Sequence, residues 1–193
     1  MKRLIAVDGL DGCGKDTHAE RIKQLIEADG HRVVVISHPS GRRFGRLSKK
    51  ALQGSGHVPR ALATIFYTMD VLGSVSRYNR TRDGTVVFVR YILGTAYLPK
   101  RLAPAGYRIF RNLLPFPDLA IFIDIDPAVA LSRIELRDHR REMFETREKL
   151  ESVRRITKDL TVDEWVTIDN SQDGEVPFAE LARVLRAKGI IRV

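Results

Sequence analysis

Apolar residues along this chain fall into short unbroken runs separated by longer amphipathic stretches. The first run, Leu4-Ile5-Ala6-Val7, shows no polar alternation and predicts a strand over Lys2–Val7 that is buried on both faces. From Lys15 to about Ala28, Ala19, Ile22, Leu25 and Ile26 recur at helical spacing, and Gly30 supplies the stop. Val33-Val34-Val35-Ile36 predicts a second buried strand over Arg32–Ser37, after which Pro39, Ser40 and Gly41 turn the chain. Helices are expected over Phe44–Leu52 and, much longer, from about Pro59 to Tyr78. Thr85–Val89 reads as a third strand, Arg90–Leu102 as irregular, and Pro104, Pro115 and Pro117 as punctuation. Leu119–Ile125 is a fourth strand, and Pro127 suits the first turn of the helix after it. The charged stretch Arg133–Arg155 reads as an exposed helical hairpin with a flexible centre. Trp165–Ile168 is a short fifth strand, Phe178–Lys188 a closing helix and Ile190–Val193 an expected edge strand. Strands alternating with helices argue for an α/β fold around a mainly parallel five-stranded sheet. No repeat, low-complexity tract or linker divides residues 1–193, which predicts one domain.

Chemistry enters where the first strand ends. Gly9-Leu10-Asp11-Gly12-Cys13-Gly14-Lys15-Asp16-Thr17 places three glycines and a lysine between a buried strand and a helix. Glycines let successive backbone N–H groups turn inward onto phosphate oxygens, and the helix N-terminus adds its dipole. Lys15 supplies a mobile charge for the β- and γ-phosphates, so Gly9, Asp11, Gly12, Cys13, Gly14, Lys15, Asp16 and Thr17 are the expected ATP-binding residues. The usual phosphate-loop pattern has Ser or Thr after the lysine as a magnesium ligand, and here Asp16 stands there. A carboxylate is a good ligand for a hard cation, so Asp16, with Asp8, is the expected Mg2+ ligand. Favourable placement of Asp16 in the first turn of a helix is the other reading.

Composition narrows the class. At 193 residues, with 44% hydrophobic and 30% charged residues, the chain has the make-up of a globular domain. No apolar stretch is long enough to span a bilayer, and the chain enters a strand at once, so no membrane segment or signal peptide is expected. The single cysteine, Cys13, fits a reducing cytoplasm. Its thiol lies beside Lys15 and a helix N-terminus, which lowers a thiol pKa, unless the position simply needs a small residue. The net charge of +9 suits a polyanionic ligand. Arginines are spread in local groups (Arg42/Arg43/Arg46, Arg77/Arg80/Arg82, Arg137/Arg140/Arg141) without a nucleic-acid-binding motif, which favours small nucleotides over DNA or RNA.

Several segments, in order, resemble the thymidylate kinases among the nucleoside monophosphate kinases. The loop Asp8–Thr17 is similar to theirs, with an acidic residue before the first glycine and Asp11 two after it. His38-Pro39 through Gly45-Arg46-Leu47 resembles the segment after their second strand. Tyr67-Thr68-Met69-Asp70-Val71 resembles Phe-Ala-Ala-Asp-Arg, and Val89-Arg90-Tyr91 resembles Asp-Arg-Tyr. Pro117-Asp118-Leu119 to Asp126-Pro127, Arg133, and Phe144-Glu145 through Val153-Arg154 complete the likeness.

The resemblance implies a P-loop NTPase fold, a three-layer α/β/α sandwich with a helical lid at about 134–146, that transfers the γ-phosphoryl group of ATP to dTMP or a related deoxynucleotide. It implies Mg2+ and a homodimer, through helices such as the one from Pro59 to Tyr78. Arg90 would grip the acceptor phosphate with its guanidinium fork, and Tyr67 would stack on the base, unless neighbouring Phe66 does. Thr95 and Tyr97 match the segment where a tyrosine crowds the sugar 2′ position, and Pro39, Asp70, Tyr91 and Asp11 complete the implied acceptor site. Gly12 stands where some members carry a catalytic arginine, so the lid residues Arg137, Arg140 and Arg141 are the implied source of that charge, with Lys15 and Arg90 the other implied catalytic groups. Three departures bear on the acceptor and metal: Asp16, Val71 in place of an arginine, and Val89 in place of an aspartate. They leave open a nucleotide-binding relative without catalysis, or a kinase of another small acceptor.

Overall fold

The computed structural model describes residues 2–54, 56–136, 146–172 and 174–192. Five strands form one sheet: β1 (Lys2–Gly9), β2 (Val33–Ser37), β3 (Gly84–Val89), β4 (Leu119–Asp124) and β5 (Val166–Asp169). Their order across the sheet is β2-β3-β1-β4-β5, and every pairing is parallel. Parallel neighbours need long crossovers, and helices supply them. These are α1 (Lys15–Ala28), α2 (Arg43–Leu52), α3 (His57–Arg80), α4 (Ala103–Leu113), α5 (Pro127–Glu135), α6 (Arg147–Thr161) and α7 (Val176–Ala187).

The strand runs are continuous because the sheet is covered on both faces. Ile5 and Val7 of β1, Val87 and Val89 of β3 and Ile121 and Ile123 of β4 pack in one cluster with α1, α5, α6 and α7. The alternate residues Leu4, Ala6, Val86, Phe88, Ala120 and Phe122 pack in another with Val71 and Val75 of α3, Tyr107 of α4 and Trp165. That is the three-layer α/β/α arrangement, and its register decides where the chemistry lies. Val7 lies opposite Val89, and Gly9 lies opposite Ile123. The ends of β1, β3 and β4 therefore open at one edge, where ligands of such sheets gather.

Two elements differ from the pattern-based expectation. The stretch after Arg90 contains a 3₁₀ turn, Leu93–Tyr97, and then α4 begins at Ala103. Pro104 does not break α4, because it occupies the first turn, where a missing N–H costs no helical hydrogen bond. The tail at Ile190 and Ile191 is not a strand: both side chains are buried in the first cluster. Arg3 holds that tail by donating to the carbonyls of Gly189 (2.9 Å) and Ile190 (3.3 Å). Of the expected hairpin, α5 and α6 are described, and residues 137–145 lie outside the described part. Asp124 at the end of β4 anchors α6, accepting from Arg154 at 2.7 and 2.9 Å and pairing with Lys158 at 2.8 Å.

Candidate functional site

The loop after β1 is closely packed. Gly12 has φ +80°, and a Cβ there would lie 2.5 Å from the carbonyl oxygen of Ala130 in α5. No side chain, arginine included, fits position 12 on this backbone. The lid arginines Arg137, Arg140 and Arg141 fall outside the described residues. Cys13 is fully buried, and its carbonyl accepts from Asn170 Nδ2 at 2.8 Å. Burial pushes its thiol pKa up, against the lowering that Lys15 alone would cause, so Cys13 is a small packing residue and not an activated thiol.

Lys15 lies folded into the loop, donating from Nζ to the Leu10 carbonyl at 2.6 Å and lying 3.6 Å from Asp11 Oδ1. Asp16 and Thr17 are exposed at the start of α1, and Asp16 Oδ1 accepts from the Ser37 hydroxyl at 3.1 Å. Asp11 sits at the centre of the site. Its Oδ1 faces the Arg90 guanidinium as well as Lys15, and its Oδ2 accepts from Tyr97 Oη at 3.0 Å. Burial acts to raise the Asp11 carboxyl, but the charges of Arg90 and Lys15 outweigh it and hold it far below the usual range. Burial would weaken the Arg90 cation, and the Asp11 charge more than restores it.

Asp8 stands one register step away with a different environment. Both of its oxygens accept the Tyr91 N–H at 3.0 Å, and Oδ2 also accepts from Leu93 N at 3.3 Å. Burial lifts its pKa to about 6 against those hydrogen bonds. Both of its oxygens thus already accept from backbone amides, which leaves Asp16 as the exposed carboxylate of the expected metal-binding pair. The exposed pair Asp16 and Ser37 offers the hard oxygen donors that magnesium takes, alongside phosphate oxygens. Among the described residues, no three His, Cys, Asp or Glu side chains cluster in a way that could hold a metal alone.

A cavity of about 150 Å³ opens beside Asp8, Gly9 and Asp11. A void of roughly that size accepts a planar six-membered ring. Of the expected acceptor residues, Pro39, Tyr67, Arg90, Thr95, Tyr97 and Asp11 line it, and so do Thr68, quoted in a motif but given no role, and Ser48, Lys49, Leu52, Thr64 and Phe110, which lie outside the motifs. Phe66 instead stacks on Phe44, with ring centroids 6.5 Å apart, which leaves the wall to Tyr67.

Two expected acceptor residues are absent from that wall. Tyr91 is fully buried against Phe88 and donates from Oη to the Pro115 carbonyl at 3.1 Å. Asp70 is buried and accepts from Ser40 N (2.6 Å), Ser40 Oγ (2.7 Å) and Arg42 Nη2 (2.9 Å). Both are corrected to structural roles: Tyr91 fills the core, and Asp70 fastens the turn after β2 to α3. Motif reading also missed Ser37, Arg42 and Asn170, although Ser37 and Asn170 lie at or just past strand C-terminal ends, which was a usable signal.

A glycine-cradled lysine at the edge of a five-stranded parallel sheet defines the class as a P-loop α/β phosphate-binding protein. Residues 7–178 match the family model for thymidylate kinase. A probable thymidylate kinase of Pyrobaculum calidifontis is 37% identical, covering 98% of this chain and 99% of its own length. A thymidylate kinase of Xanthomonas euvesicatoria is 30% identical over 89% of this chain and 78% of its own. The chain belongs to the thymidylate kinase family. The thymidylate kinase of Candida albicans shares the fold, with a TM-score of 0.75 at 18% identity over 98% of this chain and 93% of that one.

Proposed function

We propose that this protein is a thymidylate kinase that transfers the γ-phosphoryl group of ATP to dTMP. The observation that carries the reading is the convergence of Lys15 and Arg90 on Asp11, which with Arg90 lines a mostly apolar, ring-sized cavity. Phosphoryl transfer asks mainly for positioning and charge neutralisation. Backbone N–H groups of Gly9–Thr17 hold the donor phosphates, and Lys15 leaves the Leu10 carbonyl to reach the transferring group. Arg90 binds the acceptor phosphate and exchanges its contact with Asp11 for one with the ligand. Tyr67 lies against the base. Tyr97 and Thr95 border the sugar, a crowded wall that favours a deoxyribose. Asp16, with Ser37 beside it, would hold Mg2+, which would supply charge neutralisation at the phosphates. Gly12 leaves no room for an arginine in the loop, which supports Arg137, Arg140 and Arg141 of the 134–146 lid as the source of a closing positive charge.

The assembly is a single domain that pairs with a second copy through α3. The exposed stripe Val58, Leu62, Ile65, Met69 and Leu72 supports this, since its spacing places five apolar side chains on one helix face. The buried, unpaired Cys13 suits work in a reducing cytoplasm, and no described helix is long and apolar enough to cross a membrane. Arg90→Ala tests the acceptor site. It is expected to lower kcat/KM for dTMP by roughly 2–3 kcal/mol, the range for hydrogen bonds to charged groups, and to leave the KM for ATP near its wild-type value. An unchanged kcat/KM for dTMP would remove Arg90 from the acceptor site.

A further inference from the structure

Resting on that acceptor-site reading, we propose that the Tyr67 hydroxyl is a positioning group for Arg90, so that the side chain flanking the base also holds the phosphate clamp. Arg90 has φ +55°, the one non-glycine positive φ among the described residues. An L-residue keeps this left-handed conformation only where its surroundings over-determine it. Three contacts do so here. The Arg90 N–H donates to the Val7 carbonyl at 3.2 Å. Asp8 accepts the next N–H groups along, from Tyr91 and Leu93. From the opposite side, Tyr67 Oη shares its hydrogen between the carbonyls of Arg90 (2.7 Å) and Tyr91 (3.0 Å).

Two of these contacts come from β1, and the hydroxyl is the one that comes from a helix. It reaches across from α3, while the ring of the same residue lines the cavity. The neighbouring turn is built around it: a Cβ at Gly94 would lie 2.5 Å from Tyr67 Oη. Burial also keeps the phenol protonated, so the donor persists across the working pH range. The segment this stretch resembles carries phenylalanine at position 67, which has no hydroxyl to donate. Without this hydrogen the Arg90 peptide would relax, and the guanidinium would lose its aim while the ring kept its wall.

Tyr67→Phe removes the hydrogen and keeps the ring. The readout is the affinity for dTMP set against that for thymidine, the same base and sugar without the phosphate, both by calorimetry on the full chain. Thymidine affinity is expected to change less than about twofold, and dTMP affinity to fall about tenfold, a loss of roughly 1.4 kcal/mol. The KM for dTMP should rise in step, with the KM for ATP unmoved. Gly94→Ala, which crowds the hydroxyl away from the carbonyls, should lower the dTMP-to-thymidine ratio in the same direction. Equal weakening of both ligands would mean that Tyr67 only packs, and an unchanged ratio in Tyr67→Phe would overturn the proposal. Wild-type protein that binds neither ligand would overturn the acceptor-site reading itself, a result distinct from both.

Discussion

Asp8, near the end of β1, and Asp11, on the loop after it, lie three positions apart and titrate in opposite directions. Asp11 faces two cations, which overcome its burial, whereas Asp8 faces amides and an apolar wall, which do not. The consequence for stability has a definite sign. Asp8 is raised from 3.8 to about 6, so its contribution is fully present below pH 3.8 and is lost as pH rises through about 6. A shift of that size corresponds to about 3 kcal/mol. Asp8→Asn cannot ionise, so its stability relative to wild type should rise by about that much between pH 4 and pH 7, read from urea unfolding at several pH values. A difference that stays flat over that range would show that Asp8 is solvated. Much at this scale was legible in the sequence. The glycines and Lys15 announce themselves by spacing, and Arg90 through the resemblance of Val89-Arg90-Tyr91 to Asp-Arg-Tyr, but a motif does not say which way a side chain points. Tyr91 and Asp70 sit in the right motifs and turn into the core and the β2 turn, respectively. Ser48 and Lys49 sit in no motif and reach the cavity because α2 packs on α3.

At the scale of elements, apolar runs located all five strands, and hydrophobic period, Pro127 and the charged stretch Arg133–Arg155 between them located six of the seven helices. α4 was missed because Pro104 read as punctuation, when a proline in a first turn is compatible with a helix. Ile190–Val193 read as a strand because two isoleucines have strand character, yet they close the core at the far edge of the sheet from the loop. α3 carries the least resolved sequence signal, since apolar residues line more than one of its faces. Val71 and Val75 enter the core, and Val58, Leu62, Ile65, Met69 and Leu72 stay exposed. If that outer stripe is the contact between two copies, Ile65→Glu with Leu72→Glu should convert a dimer into a folded monomer. Light scattering after size exclusion should then give half the wild-type mass, with circular dichroism unchanged. A wild-type protein that is already monomeric at tens of micromolar would rule out this pairing.

Across the whole molecule, the sheet order joins residues that are far apart in the chain. β1 lies between β3 and β4, so the loop from Gly9 to Thr17, the turn at Arg90 and the end of β4 share one edge. The connection from β2 to β3 runs through α2 and α3, and α3 brings the Tyr67 hydroxyl onto the turn at Arg90. The apolar runs forecast a parallel sheet, but not which strand lies in the middle: Val33-Val34-Val35-Ile36 is as apolar as the β1 run, yet β2 is an edge strand with Val34 exposed, whereas β1, β3 and β4 are buried. On the proposed reading, Arg90 as clamp, Tyr67 as base wall and the phosphate loop share that edge, and of the three departures from the family pattern Asp16 lies at the start of α1 against Ser37 while Val71 and Val89 lie in the core. Val71 and Val89 are both fully buried. The most direct test is steady-state phosphoryl transfer by the purified chain, with ATP, magnesium and each common nucleoside monophosphate, following ADP and the diphosphate product together. The account predicts equal amounts of ADP and dTDP from dTMP, with the highest kcat/KM in the set, and a loss of roughly 10²–10³-fold in kcat for Lys15→Ala. ATP binding without transfer to any monophosphate, or a clear preference for an acceptor other than dTMP, would contradict it.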